Sequence, residues 1–166
     1  VRFLTQLLTI KNKATLDPLR GLFTLRYFYY RLELELRKIY FHKNLFLVFI
    51  RLDGMMKAFE GIPLDRVKNV WHQISSILSI KESFWSIYSP EEITGCIVTS
   101  KEKITAYGNY LVNNLSALLQ EKDIARNIKV GFVKVKKEFP VKEMLFVLSK
   151  KISQSQSQSL TVKEED

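Results

Sequence analysis

An uninterrupted apolar run, Leu45-Phe46-Leu47-Val48-Phe49-Ile50, ends abruptly in Arg51-Leu52-Asp53-Gly54. A run this short, with no polar residue alternating through it, has to be covered on both faces, so it predicts a strand in the middle of a sheet. Ligands of open α/β sheets bind just past the carboxyl ends of such strands. Arg51 and Asp53 stand at that end and are the first candidates for chemistry.

The flanking pattern supplies the cover. From Thr24, a good N-cap residue, to Asn44, apolar positions recur at helical spacing (Leu25, Phe28, Tyr29, Leu32, Leu36, Ile39, Tyr40), with Arg31, Glu35 and Lys38 opposite them. Gly54 to Gly61 reads as a loop, and Pro63 opens a second amphipathic helix through Leu64, Val67, Val70, Trp71, Ile74, Ile77 and Leu78. Phe84–Tyr88 and Ile93–Val98 read as two short strands joined by Ser89-Pro90-Glu91-Glu92, where proline in second position suits a type I turn. Ser100 caps a third helix carrying Ile104, Tyr107, Leu111, Leu115, Leu118 and Leu119; a strand over 128–136 and a short helix over 141–152 follow. Residues 45–136 thus spell strand, helix, strand, strand, helix, strand, the order of a ferredoxin-like βαββαβ antiparallel sheet, here within an α+β domain with one helix ahead and a short one behind.

Domain limits follow from composition. Residues 1–13 carry a short helical stripe that predicts a connecting helix, broken at Asp17-Pro18. Residues 14–152 form the domain. Residues 153–166, a Ser-Gln repeat with an acidic end, are too polar to pack and predict a disordered tail. The single cysteine, Cys96, lies in an apolar run; it reads as a small buried hydrophobe and points to a reducing, cytoplasmic setting. No apolar run approaches the roughly 20 residues of a membrane span. The chain opens on Val1, so a preceding segment is expected, and any membrane attachment would come through it. The net charge of +9 raises nucleic-acid binding, but the lysines and arginines are scattered; the densest group is Lys129, Lys134, Lys136 and Lys137. A solvated basic face accounts for them, and nucleic acid is not the expected partner. His42 and His72 lack ligands at metal-binding spacing, and no metal or other cofactor is expected.

The segment Asp17-Pro18-Leu19-Arg20-Gly21-Leu22-Phe23-Thr24-Leu25-Arg26-Tyr27-Phe28 resembles the entry signature of GGDEF domains, the diguanylate cyclase family, which read D-x-L-T-G-L-x-N-R-R-x-F there. Asp17, Leu19, Gly21, Leu22, Arg26 and Phe28 agree, while Arg20 and Thr24 replace the family's Thr and Asn. The order of elements agrees as well. The resemblance implies a decorated ferredoxin-like sheet and, in active members, condensation of two GTP molecules across a dimer into cyclic di-GMP. That chemistry needs a D-x-D at the end of the first sheet strand to hold Mg²⁺.

This sequence departs from the pattern where the chemistry sits. Arg51 replaces the first carboxylate and only Asp53 remains; Met55-Met56 and Phe59 replace polar family residues, and Asp65 matches a second guanine-contacting acid. The signature hairpin maps onto Ser89-Pro90-Glu91-Glu92-Ile93. Ser89 adds a side chain and Pro90 has no N–H where the family's Gly-Gly brings backbone donors to phosphates. Ile80 and Ser83 stand in place of the Arg and Asp of the family's inhibitory R-x-x-D, so cyclic di-GMP is not expected there. The implied reading is a catalytically dead, non-enzymatic regulatory module of a bacterial signalling protein, acting through a protein partner, self-association or signal relay. Its relic site comprises Arg51, Asp53, Ser89, Pro90, Glu91 and Glu92, with Arg51 expected to bridge Glu91 or Glu92. The alternatives are a nucleotide sensor using Asp53, Asp65, Glu91 and Glu92, a divergent active cyclase, and a nucleic-acid binder. Arg20, Lys57 and Lys68 are the cations available to help Arg51 hold a phosphate. Tyr27, Phe28, Tyr29 and Tyr30 are expected to pack on the sheet, any exposed part becoming a partner surface.

Overall fold

The computed structural model describes residues 15–38, 43–136, 140–154 and 160–163. The expected connecting helix over 1–13, His42 and Lys137 lie outside the described residues. In chain order the elements are α1 (Leu25–Leu36), β1 (Asn44–Asp53), α2 (Met55–Phe59), α3 (Leu64–Ile77), β2 (Ser83–Ser89), β3 (Glu92–Thr99), α4 (Lys101–Leu119), β4 (Asn127–Lys134), α5 (Val141–Gln154) and β5 (Leu160–Lys163).

The apolar run is the middle of the sheet. β1 pairs antiparallel with β3 on one side and β4 on the other, β2 lies outside β3, and the order is β2-β3-β1-β4-β5. The first four strands with α3 and α4 as connections make the ferredoxin-like arrangement. Successive side chains of β1 point to opposite faces. Phe46, Val48, Ile50 and Leu52 pack with Trp71 and Ile74 of α3 and Ile104, Leu111 and Leu115 of α4. Leu45, Leu47 and Phe49 pack with Phe28 and Leu32 of α1 and Leu145, Leu148 and Ile152 of α5. Both faces are covered by helices, so alternation has no use in β1. Each large side chain buried this way contributes about 1.5–3 kcal/mol.

Two glycines set how closely the layers approach. A Cβ at Gly95 would lie 2.1 Å from Cε3 of Trp85, its cross-strand partner, and one at Gly131 would lie 2.4 Å from Cδ1 of Ile152 on α5. At α1, Thr24 is the N-cap, accepting a hydrogen bond from the Tyr27 N–H at 3.4 Å. At α4, Ser100 occupies the N-cap position without a side-chain capping bond.

Several expectations need correction. α1 ends at Leu36, short of Asn44, and Arg31 is not on a solvent face. Its guanidinium lies 4.8 Å from the Phe84 ring centroid and 5.9 Å from that of Phe23, because a planar cation on a long apolar stem stacks favourably on aromatic rings. The stretch 54–61 is not all loop. Gly54, at φ 88°, turns the chain out of β1, and α2 follows with Met55 buried against the core.

The tail corrects a further reading. α5 runs to Gln154, and Leu160–Lys163 forms β5, parallel to β4 in the register Val130↔Leu160 to Val133↔Lys163. The outer edge of β4 offers backbone N–H and C=O groups to any extended segment, and Leu160-Thr161-Val162 has strand-forming residues. Among the described residues, no helix is long and apolar enough to cross a membrane.

Candidate functional site

At the carboxyl end of β1, strand register assembles a charged group on the face shared by α1 and α5. Arg51 stands opposite Glu92 of β3 and opposite Lys129 of β4, and Asp53 follows two residues on, pointing the same way. The Arg51 Nε–H donates to Asp53 Oδ1, and Arg51 Nη1 lies 3.3 Å from Glu92 Oε2. Lys129 Nζ lies 3.5 Å from Asp53 Oδ2. Ser89 Oγ donates to Glu92 Oε1 at 2.6 Å, and Ser149 Oγ of α5 donates to Glu92 Oε2 at 3.3 Å. Burial opposes the Arg51 charge, but the carboxylates of Asp53 and Glu92 outweigh it and raise the guanidinium above its ordinary pKa.

The hairpin is fastened by its other acid too. The Glu91 carbonyl accepts from the Leu52 N–H at 2.8 Å, and its carboxylate accepts from the Met56 N–H at 3.2 Å, at the start of α2. Neither Pro90 nor Glu91 has a positive φ, which excludes the primed turns usual for two-residue hairpins and suits the type I turn predicted. A type I turn splays the strands, and the register shift between Ile87 and Ser89 supplies compensating twist.

Register therefore brings Arg51, Asp53, Ser89 and Glu92 into one network. Glu91 joins through α2, and Pro90 is exposed at the tip. Asp65 is exposed in the first turn of α3 and has no ion pair or hydrogen bond among the described residues. Arg20 is taken up locally, with its guanidinium on Asp17 at 3.0 Å and 5.4 Å from the Trp71 ring centroid; Lys57 and Lys68 are exposed. The Ser83 hydroxyl donates to the Ile80 carbonyl and accepts from the Trp85 indole N–H. His72 is exposed on α3.

Sequence reasoning missed Lys129 and Ser149. Lys129 belongs to the densest basic group, yet it is buried and faces Asp53, so that group does not form one basic surface. The available signal was a lysine on the covered strand Ile128–Val133 and a serine within the apolar stripe Leu145, Leu148, Ile152.

No family model matches this sequence, and no curated protein matches it. Solved structures do. The coiled coil and GGDEF domain of DgcB from Caulobacter crescentus, in complex with c-di-GMP, has a TM-score of 0.74 at 12% identity over 98% of this chain and 92% of that one. The fold is that of GGDEF domains. Vibrio cholerae LapD S helix-GGDEF-EAL, bound to c-di-GMP, gives 0.71 at 14% identity over 99% of this chain and 40% of that longer one. The diguanylate cyclase SiaD of Pseudomonas aeruginosa in complex with its activator SiaC gives 0.65 at 14%, over 98% and 67%.

The GGDEF fold implies Mg²⁺ at the end of β1, and the donor set here does not fit it. A divalent cation needs carboxylate charge left uncompensated. Asp53 and Glu92 are instead matched by Arg51 and Lys129, and the four charges cancel. Among the described residues, no three His, Cys, Asp or Glu side chains form a group that could hold a metal ion.

Proposed function

We propose that this chain is a non-catalytic, GGDEF-like regulatory module of a bacterial signalling protein, working through a protein partner, self-association or relay from a preceding segment. The observation that carries the reading is the Arg51 guanidinium held between the carboxylates of Asp53 and Glu92. A cation in that place repels the metal–triphosphate that cyclase chemistry requires. Pro90 adds to it, since the hairpin tip has no N–H to give a phosphate. The same reading keeps cyclic di-GMP off Ile80 and Ser83, whose polar groups are engaged within the fold. The SiaD structure with SiaC supports contact with a protein.

Calorimetric titration with GTP and with cyclic di-GMP, each with and without Mg²⁺, tests the reading. Silence in all four is expected, together with a mass that rises with concentration or a captured protein partner. Mg²⁺-dependent heat with GTP would overturn it, and heat with nucleotide alone would favour a sensor built on Asp53, Asp65, Glu91 and Glu92.

A further inference from the structure

Two carboxylates reach one guanidinium from different strands. Asp53 of β1 takes Nε of Arg51, and Glu92 of β3 faces Nη1 at 3.3 Å. Around them stand Lys129 Nζ, 3.5 Å from Asp53 Oδ2, and the hydroxyls of Ser89 and Ser149, at 2.6 and 3.3 Å from the two oxygens of Glu92. Carboxylates from separate elements, backed by hydroxyls, are what a hard divalent cation gathers. Here a guanidinium is at the centre of such a set. Its side chain keeps 29% of its surface exposed, so solvent ions can reach the position.

We infer that Arg51 is a built-in substitute for a divalent cation, clasping β1 to β3 through Asp53 and Glu92, and that truncating it turns these carboxylates into a Mg²⁺ or Mn²⁺ site. The inference rests on the non-catalytic reading and deepens it by assigning what took over the charge balance. Removing one member of a half-buried charge network leaves the others uncompensated. With Arg51 gone, two carboxylates face each other with only Lys129 to offset them, and a divalent ion relieves the repulsion. Lysine in place of Arg51 keeps a cation in the pocket and removes the need for one.

The test is the melting temperature of the full chain as wild type, Arg51→Ala and Arg51→Lys, in chelator and then in Mg²⁺ or Mn²⁺, with no nucleotide present. The wild type and Arg51→Lys are expected to be indifferent to the ion. Arg51→Ala melts lower in chelator and recovers by roughly 3–6 °C once the free ion stands about tenfold above its dissociation constant. Glu92→Gln added to Arg51→Ala abolishes the recovery. An ion-dependent shift in the wild type, or an Arg51→Ala variant indifferent to both ions, overturns the inference. If Arg51→Ala does not fold in chelator, refolding in Mn²⁺ decides: folding only with the ion supports the inference, and failure in both conditions overturns it. Mg²⁺-dependent GTP binding by the wild type would sink the functional reading; indifference of Arg51→Ala beside a silent wild type sinks this inference alone.

Discussion

Arg51 and Glu92 stand opposite each other in the antiparallel register of β1 and β3, with Nη1 3.3 Å from Oε2. Their side chains keep 29% and 12% of their surface exposed, which places the pair between two energetic regimes. Surface pairs contribute about 0–1 kcal/mol, whereas breaking a buried one costs about 3–5 kcal/mol. Arg51→Met is expected to cost roughly 1–3 kcal/mol in urea unfolding. Glu92→Gln costs less, because an amide oxygen still accepts from Ser89. A double-mutant cycle should return a coupling of about 0.5–2 kcal/mol. A coupling of zero would mean that the two groups are solvated independently.

Gly95 and Gly131 both lack room for a side chain, but what stands in the way differs. At Gly95 the obstacle is the Trp85 ring, and at Gly131 it is the flexible end of Ile152. Gly95→Ala is expected to destabilise by about 1–3 kcal/mol, the range for overpacking. Gly131→Ala should cost less, since a terminal methyl can rotate away. Trp85→Leu should relieve the first substitution and Ile152→Val the second, each without effect on the other. Thermal melts of the four double variants check this, and equal relief by both partners would break the assignment.

Cys96 is buried, and that burial, with the Glu35 carboxylate adding and Arg31 opposing, pushes its thiol well above the ordinary value of 9.0. The neutral form is the one the fold accepts. Its contribution is therefore full below the unfolded thiol pKa and falls as pH rises past it toward the folded value, by up to about 1.4 kcal/mol per pH unit. Tyr29 shifts in the same direction, by burial first and then by Tyr88, and adds to the decline from its ordinary 10.0 upward. Urea unfolding at pH 7 and pH 10.5 should show a smaller alkaline loss for Cys96→Ala than for the wild type. Equal losses would place the alkaline sensitivity elsewhere.

The central strand, both flanking helices and the hairpin were legible because each rests on local pattern: an apolar run, a 3.6-residue stripe, a proline turn. The charged network was legible only in part. Arg51 with Glu92 follows from the resemblance, but Lys129 enters through the β1–β4 register and Ser149 through the packing of α5, neither of which a local window contains. The bond from Arg51 to Asp53 was available from the two-residue spacing on one strand face. β5 was hidden for a different reason. A strand added at an edge is selected by the backbone groups it satisfies, so its polar surroundings mislead a reading built on hydrophobic burial.

Arg31 shows the same limit in a single residue, and it yields a test of which part of the side chain matters. Spacing put it on the outer side of α1, yet its guanidinium stacks over Phe84 at 4.8 Å and nears Phe23 at 5.9 Å. Two effects are combined there: the stem covers apolar surface, and the cation faces aromatic rings. Arg31→Met keeps most of the stem and loses the charge, so it should cost about 0.5–1 kcal/mol. Arg31→Ala loses both and should cost about 1–2 kcal/mol. Arg31→Lys should not restore wild-type stability, because an ammonium lacks the planar face that stacks. Guanidinium-free denaturation in urea at low and high sodium chloride separates the contributions further. Stem packing is indifferent to salt, whereas a long-range charge effect fades as the screening length shortens. If Arg31→Met were as stable as the wild type, the ring contacts would be packing alone.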